Sequence, residues 1–169
     1  MINNYFKINK SKIGLKIYSP SFNKDLRGNI WTSFKSEYFN KRKFNHDKFT
    51  FAKQNTLRGL HGDNSTWKII TCVYGEIFAA IVQNDKKSKE FNNHETYKLS
   101  DKNKLIILIP PKMLLGWCCI SKNSVVSYKF SYEGSYVDHD KQISVKWNDP
   151  NIGIKWPLKR PIMSARDKK

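Results

Sequence analysis

The densest group of side chains able to do chemistry is Leu57-Arg58-Gly59-Leu60-His61-Gly62-Asp63. Histidine ordinarily titrates near neutral pH, so His61 is a candidate for general acid or base work. Arg58 offers a planar fork of donors suited to phosphate. If 57–61 is extended, Arg58 and Leu60 face one way while Leu57 and His61 lie on the alternate set. The segment fits a phosphate binder beside a titratable base at the mouth of a barrel. It fits equally a strand end with a surface arginine and a hydrogen-bonded histidine, and the residues alone leave both open.

Other chemistries are poorly served. The four histidines, 46, 61, 94 and 139, are never within ten residues of one another, whereas a histidine metal centre in a small barrel needs a close pair plus further ligands. No metal is expected. Neither GxGxxG nor GxxxxGK occurs, so no glycine-rich nucleotide loop is expected either. Cys72, Cys118 and Cys119 form an odd set without metal-ligand spacing and read as reduced, buried, small apolar residues.

Thirty-one Lys and Arg against fourteen Asp and Glu leave a net charge of +17. Such an excess favours anionic partners. The lysines are spread along the chain, however, without the clustered basic stripe of a nucleic-acid binder, so no nucleic-acid partner is expected. No window approaches the roughly 18 consecutive apolar residues that span a bilayer. The first residues also lack the apolar core and cleavage site of a secretory signal. The expectation is a cytoplasmic protein without a membrane partner.

These side chains need a scaffold, and the sequence points to strands. Short runs rich in Val, Ile, Thr, Tyr, Phe and Trp, bounded by Gly, Asn, Asp, Ser and Pro, recur every ten to fifteen residues or so. They are KIGLKIYS, GNIWTSF, DKFTFAK, WKIITCVYGEIFAAIVQ, ETYKLS, KLIILIPP, SVVSYKFSY and QISVKW. The fourth reads as two strands joined at Tyr74-Gly75. Pro110-Pro111 must follow a strand end, because proline cannot donate to a ladder. Only 37–44 has helical spacing. The segment WNDPNIGIKWPLKRPIMSARD, with its prolines and tryptophans, reads as an irregular tail wrapped over the barrel. The expected fold is all-β: one domain over 1–169, a barrel or sandwich with a short peripheral helix and a wrapping C-terminal tail.

Several of these pieces, in order and over about 17–167, resemble the dTDP-4-dehydrorhamnose 3,5-epimerase family. They are SFNKDLRGNIWTSF, DKFTFAKQNTLRGLHGD, WKIITCVYGEIFAAIV, KLIILIPPKMLLGWCCIS, SYKFSYEGSY, WNDPNIGIKWP and the closing SARD. The resemblance implies a cupin-like jelly roll that epimerises a nucleotide-activated 4-keto-6-deoxy sugar. It implies a homodimer, no cofactor, and a place in capsule, lipopolysaccharide or other surface-glycan precursor synthesis. His61 matches the family's general base, and Asp167 of SARD the carboxylate that orients it. Tyr128 of Ser127-Tyr128-Lys129 matches the general acid, and Lys68 the cation beside the C4 oxygen. Arg58 matches a contact to diphosphate and sugar, and Arg27 the arginine that reaches the neighbouring subunit's nucleotide.

The chemistry is coherent. A 4-keto group acidifies the C3 and C5 protons, so one base can remove either. The enolate formed needs a positive neighbour shielded from water. Inversion then needs an acid on the opposite face, separate from the base.

This chain also departs from the family pattern. Leu115-Gly116-Trp117 stands where the family usually has histidine, glycine and an aromatic, so Trp117 becomes a candidate substrate contact. Ala79 and Gln83-Asn84-Asp85 replace an acidic and arginine pattern. Gly62-Asp63 replaces the commoner aromatic-Gln, which resembles a branch acting on GDP-linked 4-keto heptoses. The nucleotide, GDP or dTDP, stays open. So do two other functions for the scaffold, a 3,4-ketoisomerase and a non-catalytic sugar-binding cupin.

Overall fold

β-branched and aromatic residues recur through the chain, and most of the runs that carry them form strands. The computed structural model describes residues 4–168; residues 1–3 and 169, at the two ends of the domain read from the sequence, lie outside the described residues. Among the described residues there are thirteen strands. They are β1 (Phe6–Lys10), β2 (Lys16–Pro20), β3 (Phe22–Asp25), β4 (Gly28–Trp31), β5 (His46–Lys53), β6 (Leu57–Gly62), β7 (Trp67–Tyr74), β8 (Glu76–Gln83), β9 (His94–Ser100), β10 (Ile106–Ile109), β11 (Met113–Cys119), β12 (Asn123–Ser131) and β13 (Ile143–Ser144).

Two antiparallel sheets face each other, in the orders β1-β2-β10-β7-β12-β5 and β13-β6-β11-β8-β9, and β3 pairs with β4 as a separate hairpin. The core between the sheets includes Ile17, Ile70, Ile107 and Val126 from one and Ile77, Ile81, Leu99 and Trp117 from the other. Each such aliphatic side chain, fully withdrawn from water, contributes about 1.5–3 kcal/mol. This is a cupin-like jelly roll. Tyr74-Gly75 does join two strands, but β7 and β8 lie in different sheets, so the turn carries the chain across the barrel. Gly75 makes that crossing at a φ of +74°, and a Cβ there would lie 2.2 Å from the Asn123 carbonyl oxygen.

Two local expectations change. Helical structure in 37–44 shrinks to one 3₁₀ turn, Ser36–Phe39. Phe39 anchors that turn by stacking on Tyr18 at 4.4 Å, and the left-handed Asn40 ends it. Alternation along β6 also fails. Leu115 pairs with His61 and Trp117 with Arg58, so three steps of β6 oppose two of β11. This bulge re-aims one residue, and Arg58 and His61 both reach the same cavity. Gly59 permits the close approach: its φ is +112°, and a Cβ would lie 2.5 Å from Gly116 Cα.

Beyond β13 the chain runs as an irregular tail. Ile154 is buried there against Leu60, Ala80, Val82 and Leu114, with Trp156 packed alongside. That burial covers the outer face of the second sheet. The Trp156 indole donates to the Trp147 carbonyl at 2.7 Å, and Ile162 bridges Thr56. The tail thereby returns 164–167 to the end of β6.

Candidate active site

Between the sheets lies a cavity of about 400 Å³. β6 supplies Arg58 and His61, β7 supplies Lys68, β11 supplies Trp117, β12 supplies Tyr128, and the tail supplies Asp167. Histidine and carboxylate thus enter from one side, tyrosine and lysine from the facing sheet.

His61 Nε2 lies 2.7 Å from Asp167 Oδ1, with the carboxylate side chain almost fully buried and the imidazole 23% exposed. Ser164 Oγ donates to the other carboxylate oxygen at 2.9 Å. Burial pushes the Asp167 carboxyl up, but hydrogen bonds from His61, Ser164 and the Gly59 amide outweigh it and hold it below the usual carboxylate range. Asp167 is therefore an anion that fixes one imidazole nitrogen and leaves the other for the cavity.

Tyr128 is held from across the core. The Trp117 indole N–H donates to its hydroxyl oxygen. With that oxygen acting as acceptor, the phenolic hydrogen is free to point elsewhere. Burial drives the Tyr128 hydroxyl well above the ordinary tyrosine range, while the Trp117 hydrogen bond and the Arg58 charge pull the other way. Trp117 is only 2% exposed, and its single donor is spent on Tyr128, so its cavity-facing surface is apolar. Arg58 lies over that ring, 6.0 Å from its centre.

Lys68 is buried with its Nζ 3.3 Å from Asp63 Oδ2. Burial lowers the lysine below its ordinary value, and Asp63 opposes that shift. For Asp63 burial is again the largest influence and raises it, but Lys68 and the Ser65 and Thr66 amides bring it below the usual range.

Six of the seven residues singled out in the sequence thus line one cavity. Arg27 does not. It sits at the tip of the β3–β4 hairpin, 91% exposed and paired with Asp25 at 2.6 Å. Sequence reasoning missed Lys48 and Arg166, which also line the cavity, and the role of Asp63. Lysine abundance hides Lys48. The signal for Asp63 is the spacing Asp63-x-Ser65-Thr66, a side chain that can cap its own turn.

A cupin-like barrel with a histidine–carboxylate pair on one wall and a tyrosine and a buried lysine on the other is a scaffold equipped to move protons. Residues 11–169 match the sequence model of dTDP-4-dehydrorhamnose 3,5-epimerase. The chain belongs to that family and is an isomerase. It is 32% identical to the Salmonella typhimurium dTDP-4-dehydrorhamnose 3,5-epimerase over 160 residues, 89% of this chain and 86% of the relative. Among solved structures it superposes on the Legionella pneumophila dTDP-6-deoxy-D-glucose-3,5-epimerase in complex with dTDP-4-keto-L-rhamnose. That match has a TM-score of 0.89 and 27% identity, over 96% of this chain and 90% of that one. The Bacillus anthracis dTDP-4-dehydrorhamnose 3,5-epimerase, with TDP and PPi bound, gives 0.89 and 28% over 96% and 97%.

Proposed function

We propose that this chain epimerises a dTDP-linked 4-keto-6-deoxy sugar at C3, C5 or both. The observation that carries the reading is the His61–Asp167 pair opening on a cavity whose facing sheet presents Tyr128 and Lys68. The Legionella and Bacillus relatives, which hold a dTDP sugar and TDP with PPi, support the nucleotide.

The neutral imidazole takes a proton from the carbon beside the ketone. The C–H electron pair becomes the C=C bond of an enolate, and the carbonyl π pair moves onto the C4 oxygen. Asp167 stabilises the imidazolium so formed. The Lys68 ammonium stabilises the oxyanion in a site where water screens little. The Tyr128 O–H then protonates the carbon from the opposite face as the C4 carbonyl re-forms. Burial disfavours the phenolate left behind, while Trp117 and Arg58 favour it, so it is short-lived and regains a proton as His61 loses one to solvent. Arg58, Lys48 and Arg166 give the cavity rim the charge that a diphosphate needs.

In this reading the protein acts in the cytoplasm as a homodimer, making a precursor of a surface glycan. Leu26 is fully exposed at the hairpin tip, Phe22 and Ile30 are also exposed, and Arg27 lies beside them. A second copy covers these apolar side chains and receives Arg27 at its nucleotide.

The test is incubation in D2O with dTDP- and with GDP-linked 4-keto-6-deoxy sugars, followed by mass spectrometry. One deuteron gained marks proton exchange at one carbon and two mark exchange at both, and the product's configuration, read by NMR, shows which exchange ends in inversion. Preference for GDP overturns the dTDP assignment, a shifted carbonyl marks a 3,4-ketoisomerase, and binding without uptake marks a non-catalytic protein.

A further inference from the structure

We propose that Asp63 is a positioning residue that fixes the Lys68 ammonium at the wall of the cavity; this rests on the epimerase reading above. Two observations place it there. First, the Asp63 and Lys68 side chains are both nearly excluded from solvent and meet at 3.3 Å. Second, the carboxylate is itself locked. Its Oδ1 accepts from the Thr66 amide at 2.6 Å, the Ser65 amide at 3.0 Å and the Ser65 hydroxyl at 3.3 Å, which leaves Oδ2 facing the lysine. The turn 63–66 therefore joins the strand of the base to the strand of the cation and sets the ammonium two residues beyond its own end. A flexible lysine stem would otherwise have several rotamers and a strong tendency to lose its proton on burial.

The other groups around the cavity explain why the lysine needs this partner. Lys48 of β5, Arg58 of β6 and Arg166 of the tail are positive and disfavour a further buried cation. His61 and His139 add positive charge when protonated, and Tyr128 of β12 and Tyr136 of the following loop are neutral in the resting site. The carboxylate that lines the cavity, Asp167, is engaged with His61 and Ser164. Lys68's partners in the sheet ladder are Ile109 on β10 and Phe130 on β12, whose side chains offer no charge. Among the described residues, Asp63 is the carboxylate left to balance Lys68.

Asp63→Asn separates charge from geometry. Asparagine keeps an oxygen for the Ser65 and Thr66 amides, so the turn survives, but the negative charge on Oδ2 is gone. Two readouts apply. In protein carrying 13C-labelled lysine, the Lys68 side-chain signal, assigned through Lys68→Arg, is followed against pH without substrate. The expected result is that Lys68 loses its proton at lower pH in Asp63→Asn than in wild type, and that Asp63→Glu restores the wild-type titration. In D2O exchange with a 4-keto-6-deoxy sugar, Asp63→Asn falls at least about tenfold below wild type at alkaline pH, with the gap narrowing as pH falls. If Asp63→Asn does not fold, Asp63→Ser, whose hydroxyl also caps such a turn, gives the same readouts. An unchanged Lys68 titration, or a loss of exchange equal at every pH, overturns the assignment. Because the titration needs no substrate, a wild type that exchanges nothing overturns the epimerase reading alone, and the pairing is judged on the titration.

Discussion

Asp167→Asn removes one charge and leaves the side chain's size unchanged, so its cost measures what the carboxylate does for the base. In the folded protein the carboxylate oxygen lies 2.7 Å from His61 Nε2. Once His61 has taken a proton, the centres of opposite charge are about 4 Å apart, worth about 4 kcal/mol at an effective dielectric constant of about 20. The imidazole is 23% exposed, and solvent screening brings the expectation to about 2–3 kcal/mol. At about 1.4 kcal/mol per tenfold in rate, proton abstraction should slow by roughly 30- to 150-fold. A second effect acts in the same direction. If the new amide turns its NH2 towards Nε2, that nitrogen must accept, so the proton moves to the nitrogen facing the cavity and blocks the base. The assay is the initial rate of deuterium uptake into a 4-keto-6-deoxy sugar, with substrate saturation measured separately. Binding should be nearly unchanged. Uptake within threefold of wild type would refute the view that Asp167 supports the base.

Tyr128→Phe removes the proposed acid but not the base, so deuterium should still enter unchanged substrate while inverted product falls; inversion at the wild-type rate shows that Tyr128 is core packing. Trp117→Phe deletes the donor to the Tyr128 oxygen, a neutral hydrogen bond worth about 0.5–1.5 kcal/mol, and should lower inversion several-fold while raising the ratio of exchange to inversion; an unchanged ratio contradicts that role. Gly59→Ala forces a Cβ to within 2.5 Å of backbone at a φ of +112° and should cost more than about 2 kcal/mol of stability, read as a clear drop in Tm. The Asp167 carboxyl is held below its ordinary value in the folded chain, so its stabilisation is fully present above about pH 4 and is lost as pH falls through the depressed value. Thermal unfolding against pH should therefore show wild type above Asp167→Asn at neutral pH, with the gap closing in acid; a gap that widens in acid reverses the sign.

Strand identity is legible in runs with turn residues at both ends such as 47–53, 95–100 and 124–132, whereas 142–147, read the same way, holds only the two-residue strand Ile143–Ser144. β11 is hidden in the sequence, because Met113–Cys119 is apolar throughout and buried on both faces, leaving no alternation to detect. The exposed β3 lacks an apolar face that would mark it, and β1 offers only the pair Phe6 and Ile8 among polar residues. His61, Lys68, Tyr128 and Asp167 lie in segments that together span more than a hundred residues, and the resemblance alone assembles them into one site. Two features lay beyond sequence. The bulge that turns Arg58 and His61 to one cavity depends on the register of β6 against β11. The Trp117–Tyr128 contact depends on two sheets meeting face to face.

In the proposed mechanism His61 removes the carbon-bound proton. Wild type and His61→Ala, both verified as folded, are incubated in D2O with the dTDP-linked 4-keto-6-deoxy sugar, and deuterium at C3 and C5 is counted by mass spectrometry over time. Loss of a general base of this kind predicts a fall of at least about 10²-fold at every carbon that wild type exchanges. Uptake by His61→Ala near the wild-type rate would show that another group is the base and that the His61–Asp167 pair does not abstract the proton.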